Sequence, residues 1–384
     1  MFGLKRSEDS GLTSWYFEID RRLLGWILIL IFVGVLCVIS AGSVQALRKG
    51  YSSYYFLHKM IPFYIVGIGT LFVSSMFNKK WVLRISVLNL VVCLLLLAWT
   101  VIHPVASHGS ARWANIAGVK LMPSDIMKPG LIIITAWFLA QMEEKYSKAK
   151  NMFLNKDAWR PSLFSWWTYA IPFLCVLLIL FLQPDVGTTF LYVGCVGAMI
   201  FVAGLPYKIL VPLIASVFGT GIIAILFHSH VRNRFLDLFS PLDPRSQVGL
   251  SISTIRQGGL FGMGDEAFAK ESLPDAHTDF IFASVVEDGG ALAGCLLLLL
   301  LFLIIRRLIL TATTVRDKFV LYVISGTTAL FAIQSCFNLA TTLRMMPTKG
   351  MTLPFISSGG SSFLGYCLLF GFVLALVRED KWKQ

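Results

Sequence analysis

Ten long apolar runs leave this chain one kind of place to fold. They fall at 23–43, 61–77, 85–102, 126–142, 168–183, 190–204, 209–227, 280–305, 319–343 and 363–377. A helix crossing the hydrocarbon core of a bilayer needs about 20 apolar residues, with a working range of about 17–25. Composition agrees with that setting: 56% of residues are hydrophobic and only 14% charged, where a soluble domain is roughly a quarter charged. The mean hydropathy is +0.74. The expectation is an all-α polytopic membrane protein of about ten transmembrane helices. A single membrane domain over 23–377 would lie between tails at 1–22 and 378–384. Glu18, Asp20, Arg21 and Arg22 precede the first run, which is not the basic flank of a secretion signal.

Lysine and arginine set the orientation. With the N-terminus inside, 20 of the 33 basic residues fall in 78 inner positions and 12 fall in 117 outer ones. That bias is the positive-inside pattern, so both termini are expected in the cytoplasm and the long loop 228–279, between the seventh and eighth spans, outside. The same spread removes a nucleic-acid reading of the net charge of +12, because the basic residues serve many short loops and form no stripe. Trp15, Tyr16 and Phe17 read as an interfacial anchor. The seven cysteines lie singly in apolar runs without a CxxC pair, and no GxxxxGK[ST] loop is present, so disulfide, zinc and ATP-driven chemistry are not indicated. His228 and His230 lack a third partner in sequence and read as solvated loop residues rather than metal ligands.

Four stretches hold polar residues that a bilayer disfavours. In the first, Arg112-Trp113 is followed by Pro123 to Lys128. Asp125 and Lys128 are three apart and meet on a helix, either as a structural ion pair or with Lys128 turned to an anionic ligand. In the second, Asp185 suits a helix cap. The third, LPDAHTDFIF at 273–282, gathers Asp275, His277 and Asp279 at the junction of the long loop and the eighth span. There Thr278 or Asp279 could cap the helix. Just inside that span the adjacent acids Glu287 and Asp288 need partners, with Lys128, Arg344 and Lys349 as candidates. The fourth runs from Arg344 to Ser362 and combines Arg344 and Lys349 with the hydroxyls of Thr352, Ser357 and Ser361 and a Gly-Gly-Ser-Ser run. Such a run suits a phosphate or sugar. A flexible linker explains the glycines and serines equally well, but not the basic residues. Gln334 and Asn338 lie four apart on one face of the ninth span.

Taken together, LPDAHTDFIF at 273–282 and MPTKGMTLPFISSGGSS at 346–362 resemble the SEDS family of bacterial cell-wall proteins (shape, elongation, division and sporulation). RW at 112–113, PSD at 123–125 and QPDVGT at 183–188 add support. The TKGMTLPF wording resembles the FtsW-type division branch more than the elongation branch. The resemblance implies a ten-helix peptidoglycan glycosyltransferase that polymerises lipid II outside the inner membrane of a bacterium, at the division septum. It also implies a class B penicillin-binding protein with transpeptidase activity, of the FtsI type, as partner, among other division proteins. By the same resemblance Asp279 is the catalytic aspartate, and Asp125 with Lys128 match a cavity pair in which glutamate is usual. Glu287-Asp288-Gly289-Gly290 and Ser357-Ser358 depart from the family wording.

The residues suit that chemistry on their own terms. A sugar hydroxyl must lose its proton while attacking an anomeric carbon, and a lipid diphosphate must leave. One carboxylate can serve as general base, with Asp279 the candidate and His277 its rival. The departing charge needs a divalent cation such as Mg or Mn, or the basic groups Lys128, Arg344 and Lys349, with Arg112 close in sequence to the first stretch. A single displacement of this kind inverts the anomeric centre. A lipid flippase and a non-enzymatic scaffold are the competing readings.

Overall fold

So much apolar chain can sit in a bilayer only with its backbone polar groups paired internally, and helices pair them. The computed structural model describes residues 11–103, 112–116, 118–151, 163–183, 185–204, 229–347 and 350–382, with 215, 219, 222 and 226 as isolated positions. The helices are α1 (Gly11–Glu18), α2 (Arg21–Arg48), α3 (Tyr55–Ser75), α4 (Lys79–Ile102), α5 (Pro123–Ile126), α6 (Lys128–Asn151), α7 (Leu163–Leu182) and α8 (Val186–Val202). After them come α9 (Ser229–Phe239), α10 (Gln247–Gly258), α11 (Ala269–Ser272), α12 (Ile281–Ala312), α13 (Lys318–Thr342) and α14 (Gly360–Trp382). Nine of the ten apolar runs coincide with these helices. The seventh, 209–227, lies outside the described residues except for four positions.

Six of the helices are long and apolar enough to cross a membrane: α2, α3, α4, α12, α13 and α14. Ile171–Leu182 and Val186–Val202 are apolar but shorter. The chain is a multi-pass membrane protein. Burial sorts its helices into an axis and a periphery. The most apolar stretch of α14 is 83% buried, that of α13 61%, and those of α2, α3, α4 and α12 about a third or less. Phe363, Tyr366, Phe370 and Phe372 of α14 are buried to within 2%, so this helix has no lipid face and forms the centre of the bundle.

Polar side chains start the helices. Asp20 accepts from the Leu23 amide (3.2 Å), Asn78 from Trp81 (3.0 Å), Asp185 from Thr188 (3.0 Å) and Asp317 from Phe319 (2.9 Å). Each satisfies one amide that a first helical turn leaves without a partner. Asp185 thus has the capping role its position suggested.

The helical fold also carries a short antiparallel hairpin, Ala114–Ile116 with Val119–Leu121. The long 228–279 loop is not irregular chain. It holds α9, α10, a 3-10 turn at Gly264–Glu266 and α11, and Ser251 and Thr254 of α10 are fully buried. The segment folds down on α12, where Gly290 has φ 74° and ψ −176° and breaks the helix.

Candidate functional site

The site end of the bundle is organised by two amides on α13. Gln334 and Asn338 are one turn apart and buried. Gln334 takes the Lys128 ammonium on its Oε1 at 2.8 Å and the Tyr366 hydroxyl on the same oxygen at 2.8 Å. Its Nε2 donates to the Thr352 carbonyl (2.8 Å) and reaches the Thr352 hydroxyl (3.3 Å). Asn338 Nδ2 donates to two carbonyls, that of Asp279 at 2.8 Å and that of Met351 at 2.7 Å. One helix face therefore holds three separate pieces of chain: the start of α6, the 350–353 segment and the end of the 273–280 turn.

Lys128 is only 1% exposed, and Asp125 meets it at 2.6 Å with 18% exposure. Ser362 Oγ lies 3.4 Å from the ammonium, and the Tyr366 ring centroid 4.9 Å away. The i,i+3 pair expected from spacing is present, and it is buried. A charge so enclosed needs both its counter-ion and its hydrogen bonds, and Gln334, Ser362 and Asp125 together provide them.

The 350–359 connection is neither open nor loose. Leu353, Phe355 and Ile356 are buried, and the Phe355 ring lies among Phe331, Phe363, Tyr366 and Phe370 at centroid distances of 5.4–6.5 Å. Ser357 Oγ donates to the Thr278 carbonyl (2.5 Å) and accepts from the Leu353 amide (2.8 Å). The Ser358 amide donates to the His277 carbonyl at 2.9 Å. Ser361 Oγ accepts from the Met122 amide at 2.9 Å. Ser357 and Ser361, with the carbonyl of Thr352, thus hold the connection in place beneath the 273–280 turn, which rules out a flexible linker.

That turn is tight. The Asp275 carbonyl, on a residue with φ 54°, accepts from the amides of Thr278, Asp279 and Phe280 at 3.0–3.3 Å. The helix that follows is capped at Phe280 with no side-chain hydrogen bond, and the Thr278 hydroxyl donates to Asp275 instead (3.2 Å). Neither Thr278 nor Asp279 is the helix cap. The half-buried Asp279 points its carboxylate at Gly350, where a Cβ would strike it. His277 is 6% exposed, and its ring packs on Phe56 with centroids 3.9 Å apart. Burial first, then the charges of Lys49 and Lys59, push its imidazole down to about 4. It is therefore neutral at pH 7 and enclosed, while Asp279 is half-buried.

With this geometry in view, comparison with known proteins decides the family. The family model described as "Cell cycle protein", covering FtsW, RodA and SpoVE, matches residues 21–382. The chain belongs to the FtsW/RodA/SpoVE family. It is 32% identical over 381 residues to a probable peptidoglycan glycosyltransferase FtsW of Caulobacter vibrioides, covering 97% of this chain and 93% of that one. It is 31% identical to the stage V sporulation protein E of Bacillus subtilis, covering 92% and 96%. Among solved structures, the fold matches a chain described under "Structural coordination of polymerization and crosslinking by a peptidoglycan synthase complex", with a TM-score of 0.74, 24% identity and 95% and 99% coverage. The rod shape determining protein RodA of Thermus thermophilus matches with a TM-score of 0.68, 22% identity and 94% and 97% coverage.

Within this FtsW/RodA/SpoVE chain, the other candidate residues lie elsewhere. Arg112 meets Asp185 at 3.5 Å, beside the start of α8. Arg344, with φ 60°, donates to the carbonyls of Asp237 and Leu238 (3.3 Å each) and of Ser240, closing the C-terminal end of α9. Lys349 lies outside the described residues, as does His228. Among the described residues, the partners of Glu287 and Asp288 are neither Lys128 nor Arg344. Glu287 accepts from the amides of Ala269 (2.6 Å) and Lys270 (2.8 Å). Asp288 pairs with the Lys270 ammonium and accepts from Ser40 (2.6 Å). Both partners come from the long loop or α2, and no local spacing announced them. Among the described residues, no three His, Cys, Asp or Glu side chains converge on one point.

Proposed function

We propose that this chain is a peptidoglycan glycosyltransferase that polymerises lipid II into glycan strands for septal wall synthesis. The observation that carries the reading is the placement of Asp279. Its backbone carbonyl is fixed by Asn338, its carboxylate lies against Gly350, and the helix after it uses no side-chain cap. A carboxylate held in place but not spent on capping suits a general base. In this reading Asp279 takes the proton from the acceptor sugar hydroxyl as oxygen attacks the anomeric carbon. The bond to the lipid diphosphate breaks with inversion. Lys128 and Asp125 brace the site from within the bundle, and the diphosphate charge is met by basic groups or by a divalent ion that arrives with it.

The relatives named as FtsW glycosyltransferases support the activity. The basic-residue bias supports ten spans with both termini in the cytoplasm of a bacterial cell and 228–279 outside. The solved peptidoglycan synthase complex supports a transpeptidase partner of the class B penicillin-binding type.

Purified protein in detergent with lipid II tests the reading. Glycan polymer is the expected product. Lipid II crossing vesicle bilayers without polymer would instead make the protein a flippase, and neither result would make it a scaffold.

A further inference from the structure

Helix α12 is broken where it can least be left open. At Gly290 the backbone leaves helical geometry (φ 74°, ψ −176°), which frees amides and carbonyls that a helix would have paired. The loop between α10 and the 3-10 turn fills the gap. The amides of Ala291 and Leu292 donate to the carbonyls of Gly259 (2.9 Å) and Leu260 (3.3 Å), and the Met263 amide donates to the Glu287 carbonyl at 2.8 Å. The fit is close: a Cβ at Gly262 would strike the Asp288 backbone, and one at Gly290 would strike that of Leu260.

Depth along the helices locates this plug. The first cation on the opposite end of α12 is Arg306. Leu292 is 14 residues from it, about 21 Å at 1.5 Å per residue. Asp288 is 18 residues from it, about 27 Å. Helix α2 gives the same height independently, since Ser40 is 18 residues from Arg22, about 27 Å, and Ser40 bonds Asp288. A hydrocarbon core is about 30 Å thick. The Ser40–Asp288–Lys270 cluster therefore marks its edge, and the plug at Leu260 and Leu292 lies below that edge.

The plug's side chains match that depth. Leu260 is 56% exposed, Phe261 77% and Met263 39%, beside the exposed Leu292, Leu296 and Leu299 of α12. The patch continues the lipid-facing strip of the helix without a polar gap. We propose that residues 259–263 form a re-entrant tip that enters the hydrocarbon layer of the lipid bilayer, with Phe261 and Leu260 among the acyl chains. Irregular backbone is tolerated at such depth only where its polar groups are paired within the protein, and the broken helix supplies those partners. The tip thereby fixes the height of α10 and the 273–280 turn above the membrane.

Two measurements on the full chain in phosphatidylglycerol/phosphatidylcholine vesicles test the tip. In the first, Phe261→Cys in a cysteine-free background carries an environment-sensitive fluorophore. Lipids with a nitroxide at acyl carbon 5 should quench it as strongly as a label at Leu292→Cys, and far more than one at Asp243→Cys. In the second, p-benzoylphenylalanine replaces Phe261 in the natural background, and irradiation should yield a phospholipid adduct by mass. Quenching at 261 no greater than at 243 overturns the proposal. So does irradiation that gives no lipid adduct, or that gives only an adduct to a partner protein.

Discussion

The two ends of the bundle solve the same problem with different chemistry. At the end remote from Asp279, charges hold the chain together. Asp20 caps α2 while receiving Arg307 at 2.8 Å, Lys79 meets Asp317 at 2.6 Å, and Asp380 accepts from the amides of Arg316 (3.1 Å) and Asp317 (3.0 Å). Glu143 takes the Tyr322 hydroxyl and Lys318. At the site end ion pairs occur too, Asp125 with Lys128 at 2.6 Å, Arg112 with Asp185 at 3.5 Å and Asp288 with Lys270, but the backbone of the 273–280 turn is tied by neutral groups, the Asn338 amide and the Ser357 hydroxyl. Asn338 fixes Asp279 through a neutral amide on its backbone carbonyl, a tie made to the main chain and not to the carboxylate. The difference teaches that helix ends can be joined by charge while a turn that carries a reacting residue is positioned through its backbone.

Breaking one partner at each end separates these roles. Lys128→Met should have the largest effect, because removing one member of a buried pair costs about 3–5 kcal/mol. Folded yield and lipid II binding should both fall, and adding Asp125→Leu should restore yield alone. Parental lipid II binding by the double variant would remove Lys128 from the binding role. Asp20→Ala at the remote end loses a cap and strands Arg307, at about 1–3 kcal/mol. It should lower the melting temperature in detergent while polymer formed per folded molecule stays unchanged. Asn338→Ala should cost a similar or smaller amount and also lower kcat with little change in KM, since it releases the Asp279 peptide. A stability loss with parental kcat would make Asn338 only a packing residue.

At neutral pH the smallest effect comes from His277, because it develops only on acidification. The His277 imidazole titrates near 6.5 when unfolded and at about 4 when folded. Between those values the unfolded chain binds more protons, so stability present above pH 6.5 is lost as pH falls towards 4. His277→Phe should flatten that part of a melting-temperature profile, and an unchanged slope would assign it to other groups.

Much of the fold was legible because hydropathy over 17–25 residues is a strong signal. The Asp125–Lys128 pair was legible too, since its spacing is local, and so was the Asp185 cap. The partner of Asp288 was not, because Lys270 lies in a loop that folds back on the helix. The 350–359 connection was also hidden. Its buried Leu353, Phe355 and Ile356 are interleaved with Pro, Thr, Ser and Gly, which fit a linker as well as a ligand-binding run until Phe331 and Phe370 close around Phe355. Gln334 and Asn338 stood out as polar residues on one face. Their task of joining Lys128 to Asp279 depends on three segments that meet only in space.

The most direct measurement is the polymerisation rate of purified Asp279→Asn with lipid II, alongside its melting temperature and its binding to the transpeptidase partner. Asparagine keeps the shape and the backbone carbonyl that Asn338 holds, and removes only the base. A general base contributes about 10²–10⁴-fold, so polymer should fall by that factor while melting and partner binding stay parental. Polymer at near-parental rate would contradict the role of Asp279 and turn attention to Asp275 or His277.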